Sequence, residues 1–282
     1  MKRTFLEKGV AQASALALQN ITDLEKVIDW NILYGISFYR MSSDMFPWMS
    51  EYEIEDLPHI HDIEAILVRV GEKVKTHNHR LTFHPGPFNV LASANESVVA
   101  KTIKELRQHG EIMDRLGLPS SPFSKINIHI GGAYGDKKSA LDRFLKNVSR
   151  LPKTARNRLT VENDDKANMF SISDLLRVHE TSGIPLVFDY LHHQFCGGNL
   201  MVEEALELAA STWPRTISPI VHFSSSKKHY EDGTALAASH ADFVYEPVLR
   251  YGLPIDIMLE AKAKEQALLR YKAEFEVTET MP

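Results

Sequence analysis

Short apolar runs rich in β-branched residues alternate along the chain with longer segments in which apolar side chains recur every three or four positions. That alternation is expected of βα units built around a parallel sheet. It predicts strands at 36–41, 80–84, 126–130, 159–162, 185–189, 220–223 and 255–260, and helices at about 21–34, 60–75, 95–116, 138–149, 172–181, 201–211 and 263–275. The helix at 95–116 carries an Asn or Ser cap, and Gly117 and Pro119 follow it as stop signals. A short polar lead, with no candidate strand before Ile21, precedes the first helix. The expected fold is therefore α/β, a TIM-type (β/α)8 barrel lacking its first strand in this chain. A doubly wound open sheet is the alternative, and it spaces strand-end residues less evenly along the chain.

At 282 residues the chain has the length of one such barrel, and its 44% hydrophobic residues suffice for a large core. One domain is expected over 1–276, with a short tail at 277–282. No apolar run reaches the roughly 18 residues of a membrane helix, and the first residues lack the apolar stretch of a secretory signal. The expectation is a cytoplasmic protein, nucleoid-associated if the source is bacterial, with no membrane partner. Cys196 is the only cysteine, which excludes an intrachain disulfide and a thiolate metal cage. The formal charge of -5 argues against non-specific coating of nucleic acid but leaves room for a local basic groove.

Buried parallel strands read as continuous apolar sequence. Here each run stops at an ionisable group: His84, His129, Glu162, Asp189 with His192 close behind, His222 and Glu260. Taken singly, each has an ordinary structural use; His84 serves as a hydrogen-bonded loop histidine and Glu162 as a cap or salt-bridge partner. Strand ends of a barrel converge on one face, however, and an uncompensated ionisable group is costly there. Six successive strand ends of this kind point to a metal cluster. Imidazoles and carboxylates without thiolate suit Mn²⁺, Zn²⁺ or Fe²⁺, whereas Mg²⁺ favours fewer histidines, and the number of ligands suits two or three ions. Such a site serves phosphodiester hydrolysis and sugar isomerisation equally well.

Tyr134, Lys137, Lys138, Lys166, Lys227, Lys228 and Lys262 follow strand ends and lean toward a phosphate backbone, although any one of them reads as solvated loop charge. Gly131-Gly132-Ala133-Tyr134-Gly135 is a tight turn without a nucleotide-loop spacing. Cys196 near His193 reads as a bystander thiol. Ser224-Ser225-Ser226 reads as a loop, and Phe46, Trp48 and Met49 as packing or a stacking surface.

These residues resemble the UV-damage endonucleases of the xylose-isomerase-like barrel group. The resemblance runs from Arg3-Thr4-Phe5 through Phe38-Tyr39-Arg40-Met41-Ser42-Ser43, His84-Pro85-Gly86, His129 to Gly135, Glu162-Asn163-Asp164-Asp165, Asp189-Tyr190-Leu191-His192-His193, Val221-His222 and His240-Ala241 to Glu260-Ala261-Lys262-Ala263-Lys264-Glu265. It implies a manganese-type three-metal site held by His84, His129, Glu162, Asp189, His192, His222 and Glu260, with His240 as an eighth ligand. It also implies a nick immediately 5′ to a photoproduct in duplex DNA, with metal-bound hydroxide as nucleophile and Glu162 bridging two ions. Glu162 and Glu260 are then the catalytic carboxylates, and Pro87, Phe88, Tyr134, Lys137, Lys227 and Lys262 face the DNA. The implied partner is damaged double-stranded DNA, met by a monomer with no obligate protein partner.

Three departures from the family pattern stand out. Pro87 and Phe88 replace a lesion-probing Gln-Tyr, Ile220 replaces a modifiable lysine, and the family's first strand precedes Arg3. Phe88 can still wedge or stack, whereas Pro87 lacks the amide donors. Against this reading stand another barrel metalloenzyme, such as an abasic-site endonuclease or a sugar isomerase, and a damage-binding protein that has lost catalysis.

Overall fold

The computed structural model describes residues 2–276, so the expected tail at 277–282 lies outside the described residues. Seven strands are present among these residues: β1 (Phe38–Met41), β2 (Arg80–Phe83), β3 (Ile126–Ile128), β4 (Leu159–Glu162), β5 (Leu186–Asp189), β6 (Ile220–Phe223) and β7 (Asp256–Leu259). Each falls inside a predicted run. They are neighbours in chain order from β1 to β7. A doubly wound sheet reverses its order at a switch point. Sequential order excludes that alternative.

The helices are α1 (Lys2–Leu33), α2 (Ile60–Thr76), α3 (Glu96–Arg115), α4 (Lys137–Val148), α5 (Lys153–Arg156), α6 (Ile172–Ser182), α7 (Tyr190–Phe195), α8 (Val202–Ser211), α9 (Lys227–Tyr230) and α10 (Glu265–Tyr271). The first corrects the sequence reading: helix begins far ahead of Ile21 and is broken only at Gly9, whose φ of 73° no regular helix accepts. Ala13, Ala17, Ile21, Leu24 and Ile28, spaced three or four apart, form its buried stripe. Alanines make that stripe look polar to the eye, yet alanine is the best helix former. The short helices α5, α7 and α9 were not expected from periodicity, and the last helix begins at Glu265 instead of 263 and passes into a π-helical turn, Lys272–Glu276.

The chain divides into two compact units, Met1–Thr160 and Val161–Pro282, with the division inside β4. In the first unit, α2 turns a buried face of Ile63, Ile66, Leu67, Val70 and Val74 inward, each such side chain contributing roughly 1.5–3 kcal/mol when fully buried. Gly71 lets α2 approach the end of α3, because a Cβ there would stand 2.0 Å from the Leu116 carbonyl oxygen. Asn95 caps α3 by accepting from the Ser97 backbone N–H at 2.9 Å. Arg158 is fully buried and donates to the carbonyls of Pro119, Leu118 and Thr154 and to Asp114, tying the end of α3 to the entry of β4.

In the second unit, α6 starts with a Ser171–Asp174 capping box and ends at Gly183 in the left-handed region. Trp213 Nε1 donates to the Leu186 carbonyl at 2.6 Å, fastening the segment after α8 to β5. Strands β5 and β6 are buried throughout, as their apolar sequence requires. Register then decides which residues share a face. Asp189 is the partner of His222, Glu162 of Val187, and His222 of Met258. Side chains two apart on one strand, or register partners on parallel neighbours, point the same way. Glu162, Asp189, His222 and, through the 2.8 Å Glu260 N–H to Phe223 carbonyl bond, Glu260 therefore share one face.

Candidate metal centre

His222, fully buried on β6, sits between two carboxylates: its Nδ1 is 3.1 Å from Glu162 Oε2 and 3.1 Å from Glu260 Oε1. The remaining oxygens reach outward, Glu162 Oε1 to 3.4 Å from His192 Nδ1 and Glu260 Oε2 to 3.6 Å from His240 Nδ1. Glu162, Asp189 and His222 each present a ligand atom within 4.8 Å of the other two. Ligands held at about 2.1 Å around one cation stand roughly 3.0–3.4 Å apart. The 3.1 Å separations at His222 and the 3.4 Å separation at His192 fall in that range.

Asp189 provides the sharpest test of that reading. It is fully buried and caps α7, Oδ1 accepting from the His192 backbone N–H at 2.8 Å. Its Oδ2 is buried with no hydrogen-bond partner. A buried carboxylate oxygen left so costs several kcal/mol unless a cation meets it. Burial first, then the Glu162 and Glu260 charges, push the Asp189 carboxyl up to about 7, against a lowering by His192. Burial likewise pulls the His240 imidazole down, which favours the neutral, ligating form. Buried carboxylates and imidazoles with no thiolate nearby fit a hard or borderline divalent cation.

The histidines are aimed by their neighbours. His192 Nδ1 lies 2.9 Å from the Asn163 carbonyl, so Nδ1 carries the proton and Nε2 keeps the lone pair that a metal ligand needs. Asn163 also clamps the ends of β4 and β5, accepting from the Asp189 N–H at 2.8 Å and donating to the Asp189 carbonyl at 3.1 Å. Its side chain does the work of one more pair of ladder bonds. Sequence reasoning missed this role, although Asn163 lies in the Glu-Asn-Asp-Asp segment. Asn163→Ala is expected to lower divalent-metal affinity or activity by about 10–100-fold. Calorimetric titration of Mn²⁺ into wild type and variant checks it.

His240 lies on no strand. The bridge between Ser226 and His240, the Ala241 N–H to Ser225 carbonyl bond of 2.9 Å and the Lys262 N–H to Ala241 carbonyl bond of 3.1 Å bring it to Glu260. Glu231, also missed, holds that segment by accepting from the backbone N–H of Asp242 at 2.7 Å and from the Tyr245 hydroxyl at 3.0 Å.

In the first unit, His84 and His129 follow β2 and β3, and their rings lie 5.6 Å apart. Pro87 and Phe88 occupy an exposed turn, Phe88 being 83% exposed. Tyr134 is 61% exposed and Lys137 opens α4. In the second unit Lys262 is exposed, while Lys227 Nζ stands 3.4 Å from Asp242 and 3.8 Å from Glu231. His193 and Cys196 stay outside the cluster: the His193 ring bonds the Leu200 carbonyl, and the buried Cys196 thiol faces the Met169 carbonyl at 3.5 Å.

Comparison with known proteins gives consistent matches. The profile of the family described as UV-endonuclease UvdE matches residues 2–281. The UV-damage endonuclease of Schizosaccharomyces pombe is 36% identical over 97% of this chain, which spans 46% of that relative's own length. The UV DNA damage endonuclease of Bacillus cereus strain G9842 is 33% identical, with 89% of this chain and 79% of the relative covered. The crystal structure of SacUVDE superimposes with a TM-score of 0.85 at 30% identity, covering 96% of this chain and 90% of that one. The fold class is that of the TIM-type α/β barrels, with seven parallel strands among the described residues.

Proposed function

The chain belongs to the UV-endonuclease UvdE family, and on that premise we propose that it is a metal-dependent repair endonuclease that hydrolyses the phosphodiester 5′ to photoproducts in damaged duplex DNA. The observation that carries the metal chemistry is the buried, unpartnered Asp189 Oδ2 among ligating side chains. Glu162, Asp189, His192, His222, His240 and Glu260 would hold the ions, and the family reading adds His84 and His129 to the ligand set. Two or three Mn²⁺ ions suit this oxygen and nitrogen set, with Zn²⁺ and Fe²⁺ as the competing occupants. Such ions supply Lewis acidity, which activates water near neutral pH and offsets charge on a phosphodiester.

The protein's own groups do the rest. Glu162 spans His192 and His222, and Glu260 spans His222 and His240, so the two catalytic carboxylates fix the imidazoles in one frame. Pro87, Phe88, Tyr134, Lys137, Lys227 and Lys262 face the DNA. The ion pairs of Lys227 are partly exposed and weak enough for phosphate to replace them. Selection by ease of unstacking suits this set, which offers aromatics and point charges instead of base-reading amides. No described helix is long and apolar enough to cross a membrane, and the proposed setting is the cytoplasm, where residues 1–276 act as one monomeric domain.

The test is strand nicking of supercoiled plasmid by Mn²⁺-loaded protein. UV-irradiated plasmid should be relaxed and untreated plasmid left intact. Equal nicking of both, nicking of abasic plasmid alone, or aldose–ketose turnover without nicking contradicts the proposal.

A further inference from the structure

Tyr134 holds a backbone conformation that a tyrosine rarely adopts. Its φ is 51°, a left-handed value that costs strain for any residue with a Cβ and persists only where the surroundings impose it. Gly135 follows it and Gly132 stands two residues before it, yet the strained position itself carries a large aromatic ring that is 61% exposed. Burial therefore does not account for the ring, and strain argues against it.

Its surroundings are built to keep it in place. The Arg143 guanidinium lies over the ring, 5.4 Å from its centroid, within the range of a cation–π contact. The same guanidinium donates through Nε to the Ala92 carbonyl at 2.8 Å, reaching into the segment that follows β2. Asn147, one turn further along α4, donates to the neighbouring Leu91 carbonyl at 2.8 Å. The ring also rests on Gly132, where a Cβ would stand 3.0 Å from it. Gly131, at φ 99°, packs so closely on Val90 that a Cβ would come within 2.3 Å of a methyl carbon. The turn bearing Tyr134 is thus keyed directly to the turn bearing Phe88.

That second turn is equally well tied down. Asn89 donates to the Gly86 carbonyl at 3.2 Å and to Glu105 Oε1 at 2.8 Å, and the Val90 N–H donates to Thr102 Oγ1 at 3.1 Å. Phe88 stands on it, 83% exposed. The Tyr134 ring, held by Arg143 and Gly132, is preorganised and loses little rotamer freedom on stacking. Bases in an intact duplex offer no free face to such rings, whereas unstacked bases do.

We propose that Tyr134, fixed in its strained turn by Arg143, is a stacking element for nucleobases that have left the duplex stack, and that Arg143 acts as its positioning residue. This rests on the reading of the protein as a damaged-DNA endonuclease. Arg143 does not itself touch the DNA; it holds Tyr134 and ties the two turns together.

The test is equilibrium binding, by fluorescence anisotropy, of Mn²⁺-loaded protein to two labelled duplexes: one with a mismatched bulge whose bases are unstacked, the other fully paired. Both carry a non-hydrolysable backbone, so binding is read without cleavage. Tyr134→Leu is expected to weaken binding to the bulged duplex by about five- to a hundredfold, the range for loss of one base–aromatic stack, and to leave the paired duplex unaffected. Tyr134→Phe keeps wild-type affinity, and Arg143→Leu reproduces the defect while Arg143→Lys restores only part of it. The Tyr134→Leu, Arg143→Leu double variant is no worse than the first alone, because both remove one device. Wild-type affinity of Tyr134→Leu for the bulge, an equal loss on both duplexes, a defect in Tyr134→Phe, or full affinity in Arg143→Leu overturns the proposal. Failure of the endonuclease reading shows separately, as absence of nicking by the wild-type protein on UV-irradiated plasmid.

Discussion

Glu162→Gln is expected to lower kcat/KM for nicking UV-irradiated DNA by on the order of 10³-fold or more, as loss of about 4 kcal/mol of electrostatic stabilisation requires. The amide keeps the shape of the side chain and removes its charge. Glu162 is almost fully buried, and each of its oxygens faces a different imidazole, His192 at 3.4 Å and His222 at 3.1 Å. Neutralising it should therefore weaken both halves of the proposed ligand set at once. The same substitution should raise the melting temperature of metal-free protein, since it takes one like charge away from Asp189 and Glu260. A nicking assay and a thermal melt in chelator check the two outcomes. A variant with near wild-type turnover would remove Glu162 from the chemistry.

In metal-free protein Asp189 should contribute stability that is lost as pH rises from about 4 to 7, while His79 and His109, which burial pulls down to about 4, contribute in the opposite direction. Asp189 ordinarily titrates near 3.8, and in the folded chain burial, with Glu162 and Glu260, pushes it up to about 7. Between those values Asp189 is protonated in the folded state and ionised in the unfolded one, so its contribution to stability falls with rising pH. The effect is complete once pH passes the folded-state value. Asp189→Asn removes this dependence and should melt higher than wild type at pH 8 in chelator, while losing the stabilisation that Mn²⁺ gives to wild type. Melting temperature against pH, with and without Mn²⁺, reads all of this. A wild-type curve that does not fall relative to that of Asp189→Asn over that window in chelator contradicts the assignment of Asp189 as a buried carboxyl raised by its surroundings.

That Glu162, Asp189, His222 and Glu260 share one face was legible in the sequence because parallel strands announce themselves twice. Their interiors are apolar, and the first ionisable residue at the end of each run marks the face where the sheet opens. Asp189 and His222 show this directly: they end or nearly end their runs, and they are register partners. His240 could be reached only through family resemblance, since its position comes from bonds to Ser226, Ser225 and Lys262 that no local period encodes. Asn163 escaped notice because its side chain substitutes for backbone, bonding both the N–H and the carbonyl of Asp189. The early start of α1 was hidden by Ala13 and Ala17, buried positions that supply helix propensity but little hydrophobic contrast. The strain at Tyr134 is a property of φ alone, and no residue pattern forecasts it.

Crystals grown from Mn²⁺-loaded protein, with anomalous scattering recorded at the manganese edge, test the proposed metal centre most directly. A manganese peak is predicted within bonding distance of Asp189 Oδ2 and His192 Nε2, accompanied by at least one further peak against Glu162, His222 or Glu260. Crystals of active protein with no manganese at these side chains would contradict the account.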